Sequence, residues 1–281
     1  MIAVVLVFCA GTLQAAGLGW RVADADGGTA YLVGTIHAAR ETLYPLPDPL
    51  LDAFAHSEIL VVEVDVGAID PRAAQRISAE HGVFPRDGSL RALLTDDAWT
   101  RAAAWSERLG VPRRNLDRMR PWLAAVTLVS LEIRQLGLDP EFGVERYFAS
   151  RARARSMRIV ELESLTEQLT TLAALPPATQ VAFLEGSIPT GDGFRESVER
   201  IVNSWRDGDV AAMTAVLEES YTEPTLYNAL MRDRNHRWLP EIEAMVGSGR
   251  VHFVAVGALH LVGDDGLVNL LEKRGYRVER L

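Results

Sequence analysis

Residues 251–260 read VHFVAVGALH, an apolar run that stops at Gly257 and is followed by His260 three residues on. Residues 31–37, YLVGTIH, repeat the arrangement with Gly34 and His37. A nearly continuous apolar run marks a strand covered on both faces. Each copy therefore places an imidazole just past the end of a buried strand. The two copies lie at opposite ends of the chain, so the fold is expected to bring those ends together around one site.

Working outward, residues 58–66 (EILVVEVDV) form a third buried strand with Glu63 inside it. A carboxylate there is costly unless a cation faces it. Residues 157–162 form a short strand ending at Glu163, and 276–280 form a last one. Residues 20–33 read as a hairpin turning at residues 24–28. The rest is mostly helical. Helices are expected over about 49–56, 70–82, 90–109, 121–136, 139–155, 164–175, 179–186, 194–206, 210–219, 227–238 and 264–274. Thr95 is expected as a cap, Ser164 with Glu167 as a capping box, and Asp139-Pro140 as a helix start. The fold class is α/β (α+β): a central mixed sheet of N- and C-terminal strands, with a large helical insertion from roughly 70 to 245. Residues 17–281 read as a single domain.

Residues 1–16, MIAVVLVFCAGTLQAA, resemble the apolar core and cleavage site of a secretory signal peptide, cleaved or retained as a membrane anchor. The expected location is periplasmic or secreted. The single cysteine, Cys9, lies in this segment, behind Phe8 rather than a small residue, which argues against lipid attachment. The net charge of −9 argues against a nucleic-acid partner, which needs a basic face.

His37, Glu63, Glu163 and His260 all fall at or near strand ends, where sheets of this kind carry their chemistry. Two imidazoles and one or two carboxylates suit a divalent cation such as manganese, cobalt or zinc, with Glu163 as the fourth ligand. A water on that cation becomes a nucleophile near neutral pH, with Glu63 in the shell or as general base. Glu63 pairing with a buried arginine is the structural alternative, and Arg234 is expected to orient a carboxylate or an oxyanion. Asp65 either joins the site or ties a loop. His56, His81, His236 and His252 read as structural. No G-x-S-x-G elbow, H-E-x-x-H pair or phosphate-binding loop occurs.

At these residues the chain resembles the TraB/GumN family, which includes the TIKI proteins. The resemblance rests on YLVGTIH with LVVEVD, on GLDPEF and VELESLTEQL, and on LYNALMRDRNHRW with FVAVGALHLVGDDGLVNLLEKRGYRVERL. It implies metal or catalytic roles for His37, Glu63, His260 and Glu163, and picks out Asp139, Arg234 and Asn235 as pattern positions. It implies a metal-dependent peptidase acting on a peptide or similar substrate. The wider superfamily also suggests two alternatives: a metal-independent, esterase-like hydrolase with a histidine base, or a non-catalytic binder of a peptide, polysaccharide precursor or haem-like ligand.

Overall fold

The computed structural model describes residues 17–68 and 70–281; the signal-like segment lies outside them. Six strands form one mixed sheet: β1 (Gly19–Ala23), β2 (Thr29–Thr35), β3 (Ile59–Val62), β4 (Arg158–Glu161), β5 (His252–Gly257) and β6 (Arg277–Arg280). Their order across the sheet is β4-β3-β5-β2-β1-β6. The first four in that order run parallel, while β1 is antiparallel to both β2 and β6. The β1–β2 hairpin is tied by Asp24 Oδ1, which accepts from the Asp26 and Gly28 N–H groups. The two apolar runs at the chain ends are direct neighbours, with Gly34 opposite Val256 and Thr35 opposite Gly257. Both are buried along almost their whole length, as continuous apolar runs in a parallel sheet require.

The helices are α1 (Asp48–Ala55), α2 (Pro71–His81), α3 (Asp96–Arg108), α4 (Arg113–Leu116), α5 (Pro121–Gln135), α6 (Val144–Ala154), α7 (Leu165–Ala174), α8 (Pro177–Ser187), α9 (Gly193–Asp207), α10 (Val210–Ser220), α11 (Pro224–Tyr227), α12 (Asp233–Val246) and α13 (Leu267–Lys273). The Thr95 cap and the Ser164–Glu167 capping box both form. Phe54 of α1 and Phe148 of α6 pack on Phe253 of β5, with ring centroids 5.3 and 4.6 Å away. The insertion also builds apolar clusters of its own. One joins Leu90, Trp105, Leu128 and Leu184, and another joins Trp122, Leu172 and Leu226.

Three expectations are corrected. The strand of Glu63 ends at Val62, because the Glu63 side chain turns into a polar cluster rather than a strand face. The helix expected over 139–155 begins only at Val144. Asp139 does cap, but it caps a short 3-10 turn, Pro140–Phe142, and its backbone pairs with Ala39. The helix expected over 227–238 is three pieces: α11, a π-helical turn at Asn228–Arg232, and α12, which runs on to Val246. Insertions of this wide turn recur at functional sites. Among the described residues, no helix is long and apolar enough to cross a membrane.

Candidate active site

Each candidate site residue follows the carboxyl end of one of the four parallel strands. His37 follows β2, Glu63 follows β3, Glu163 follows β4, and His260 lies on the turn after β5. Past the strand ends the Leu162 N–H bonds the Val62 carbonyl at 2.9 Å and the Glu163 N–H bonds the Glu63 carbonyl at 3.0 Å, which brings the two glutamates together.

Arg234, near the start of α12, fills the space they share. Its Nη2 donates to Glu63 Oε2 and to Glu163 Oε1, both at 2.6 Å, and its Nε donates to Glu163 Oε2 at 3.1 Å. Its Nη1 donates to the Leu230 carbonyl at 3.0 Å and to His260 Nε2 at 2.9 Å. A guanidinium has five N–H groups, and all five are used. The ring of Trp238 lies under it, 4.6 Å from Cζ to centroid. Arg234, Glu63, Glu163 and His260 are all buried. Arg237, from the solvent side, gives Glu163 a further donor at 3.2 Å.

His260 is held from its other edge by Asn235. Asn235 Oδ1 lies 2.6 Å from His260 Nδ1, and Asn235 Nδ2 donates to the His260 carbonyl at 3.2 Å and the Asp265 carbonyl at 2.8 Å. The network assigns a neutral ring with its proton on Nδ1 and its Nε2 lone pair on Arg234. Burial pushes the His260 imidazole down to about 3, against the pull of Glu63. Burial would raise Glu63, but the positive charges of Arg234 and His37 and the 2.5 Å bond from the Gly257 N–H outweigh it and hold the carboxyl well below its ordinary value.

His37 stands apart from this cluster. Its Nδ1 lies 3.2 Å from Glu145 Oε2; the imidazole side chain is 66% exposed, whereas Glu145 is buried. That hydrogen bond, with the carboxylate charge behind it, raises the imidazole to about 9. Burial in turn pushes Glu145 up. Gly143 makes this pairing possible: a Cβ there would come 2.5 Å from the His37 carbonyl, so α6 can start directly against the His37 backbone.

A cavity of about 400 Å³ connects these groups; His37, Glu63, Arg234 and His260 all line it. Gly257 lies among them. A Cβ built there would be 3.1 Å from Glu63 Oε1, 3.6 Å from His260 and 3.9 Å from His37 Nε2.

The structure therefore brings all four expected metal ligands to one end of the sheet, but their donor atoms do not fit a metal centre as arranged. Both Glu163 oxygens, one Glu63 oxygen and His260 Nε2 already receive N–H bonds from Arg234, whose charge stands where the cation was expected. Among the described residues, no group of three or more His, Cys, Asp or Glu is placed to hold a metal ion. Arg234 orients carboxylates, one of the two parts expected of it. With no donor left for a substrate, it positions Glu63, Glu163 and His260. Asp65 lies outside the site, ion-paired with Arg153.

Glu145, the partner of the site residue His37, is what sequence reasoning missed. It looks like an ordinary acidic residue in the first turn of a helix. The available signal was its face: Glu145, Phe148, Ala149 and Ala152 share one buried stripe, and a carboxylate on an apolar stripe calls for a partner.

The model of the TraB/PrgY/gumN family matches residues 18–280. Proteins called "Uncharacterized protein YbaP" from Shigella flexneri and Escherichia coli (strain K12) are each 26% identical, across 86% of this chain and 87% of their own length. A protein called "Metalloprotease TIKI homolog" from Amphimedon queenslandica is 23% identical, across 93% of this chain and 61% of its own length. No solved structure matches. With the family model spanning both strand–Gly–x–x–His copies and everything between them, the chain belongs to the TraB/PrgY/gumN family.

Proposed function

We propose that the chain is a hydrolase that adds water to an ester or amide carbonyl held in the cavity, with His37 as the base. One observation carries this reading: His37 is tied through Nδ1 to the buried Glu145 carboxylate while its ring faces the cavity. A carboxylate on Nδ1 fixes the tautomer and ring orientation and stabilises the imidazolium that forms. Nε2 takes a proton from water as the oxygen attacks the carbonyl carbon. It then returns that proton to the leaving oxygen or nitrogen as the bond to it breaks, giving an acid and an alcohol or amine. The Glu63–Arg234–Glu163–His260 cluster fixes the floor of the cavity beside this base.

A second reading, metal-dependent hydrolysis, is favoured by the name of the Amphimedon queenslandica relative. A panel of activated esters and amides separates the two. On our reading, turnover survives dialysis against a chelator and falls by about 10²–10⁴ in His37→Ala. Turnover lost to the chelator and restored by manganese, cobalt or zinc would establish the metal reading. Full activity in His37→Ala would sink both. The signal-like residues 1–16 fit action in the periplasm or outside the cell, which N-terminal sequencing of the fractionated protein would check.

A further inference from the structure

The cavity has two kinds of wall. Its chemistry comes from the strand ends and α12. The remainder comes from the insertion, whose helices supply Ile133 from α5, Leu172 from α7, Phe183 from α8, Ile201 from α9 and Met213 from α10, with Leu230 from the π-helical turn. On that side, among the described residues, the polar side chains in the lining are Gln168 and Thr171, both on α7, and Tyr221 just after α10. Six segments of the insertion thus contribute to one largely apolar chamber that opens onto His37.

We infer that this chamber receives the acyl chain of a medium-chain acyl ester or N-acyl amide, an inference that rests on the hydrolase reading above. The volume fits. A water molecule occupies about 30 Å³ of liquid and a methylene is of similar size, so about 400 Å³ holds on the order of a dozen heavy atoms. The chemistry fits as well. A peptide threaded into the chamber would bring an amide N–H and C=O with every residue. The lining backbone there is helical and already hydrogen-bonded, so those groups would lose water without gaining partners. An acyl chain carries one polar group, the carbonyl, and that group sits at the end where His37 stands. The walls then select chain length by burial, each methylene multiplying binding up to about fourfold.

The test uses p-nitrophenyl esters from acetyl to decanoyl, with Ile201→Trp to fill the chamber and Val198→Phe as a second, milder filling should the first not fold. In wild type, kcat/KM is expected to rise at least about tenfold from acetyl to decanoyl. In the filled variant the ratio of decanoyl to acetyl kcat/KM is expected to fall to about one. Decanoate binding to the full-length protein, followed by calorimetry, provides a readout independent of turnover. Decanoate bound by wild type and lost in the filled variant supports the chamber even if no ester is cleaved, in which case the hydrolase reading fails by itself. A flat or falling ester series together with no decanoate binding overturns the acyl assignment, and so does preferential cleavage of unacylated peptides.

Discussion

Arg234 Nη1 donates to His260 Nε2 across 2.9 Å, and this bond decides what His260 does. With Nδ1 bound to Asn235, both ring nitrogens are committed inside the protein. The imidazole is held neutral far below physiological pH. His260 is thus a fixed hydrogen-bonding group at the floor of the cavity. On the proposed reading, proton transfer falls to His37, whose ring opens onto that cavity. The two Gly–x–x–His copies look alike in sequence and have divided the work, because one histidine was given an arginine and the other a carboxylate.

If Arg234 is the internal counter-charge of the floor, removing it must strand two buried carboxylates. Arg234→Met is expected to lower stability by about 3–5 kcal/mol in urea unfolding, as for breaking other buried pairs from one side. Adding Glu63→Gln and Glu163→Gln to the same chain should recover much of that loss, since the uncompensated charges are then gone. A loss of under about 1 kcal/mol for the single variant would show that water already reaches the cluster and that the arginine does little to hold the floor.

Gly257→Ala tests the open space between the three central groups. The backbone at Gly257, φ −50° and ψ 135°, suits any residue, so the effect is one of space and not of strain. The added Cβ meets Glu63 Oε1 at 3.1 Å and projects toward His260 and His37. Turnover should drop at least about tenfold while stability falls by only about 1–3 kcal/mol. Wild-type activity in a folded Gly257→Ala protein would show that no reacting atom uses that space. Gly34 serves packing instead: a Cβ there would press on Ala258 at 3.1 Å.

The sheet was legible because its signal is local. Apolar runs ending at Gly34 and Gly257 can be read without knowing what surrounds them, and the strand ends then locate His37, Glu63, Glu163 and His260. Partnerships were not legible. Arg234 sits three residues from Arg237 on one helix; only the fold shows that the first points inward and the second lies at the edge with its guanidinium half exposed. Glu145 belongs to a helix far along the chain from His37, and the close approach at Gly143 that joins them leaves no periodic trace. Two histidines and two glutamates read as ligands when the arginine among them is not yet placed.

Acid stability follows from the same groups. The Glu63 carboxyl is depressed to about 2 in the fold, so its contribution is present above the unfolded value near 4.5 and lost as pH falls through 2. His260 is also depressed, to about 3, and it must stay neutral to accept from Arg234. The unfolded chain therefore binds its proton first, and stability is lost as pH falls from about 6.5 toward 3. His37 has the opposite sign. Its raised value gives a contribution present below about 6.5 and lost as pH rises through 9. Urea midpoints should fall on acidification below pH 6.5, and His260→Gln should flatten the upper part of that fall while lowering stability overall. An unchanged slope in His260→Gln would mean that the acid sensitivity lies elsewhere.

The pH dependence of turnover is the sharpest test of His37 as the base. With the imidazole raised to about 9, about one molecule in a hundred carries it unprotonated at pH 7. For a neutral substrate, kcat/KM should climb about tenfold per pH unit and level off near pH 9. Glu145 causes that displacement, so Glu145→Gln should move the midpoint down toward 6.5 and lower the plateau, because the ring is then weaker as a base and less firmly oriented. The two effects together distinguish a partner of the base from a residue that merely supports the fold, whose loss would lower the whole profile without moving it. A midpoint that stays in place in Glu145→Gln, or a profile that falls as pH rises toward 9, would remove His37 from the role of base. A falling profile would instead mark the imidazolium as the working form, donating its proton to the leaving group.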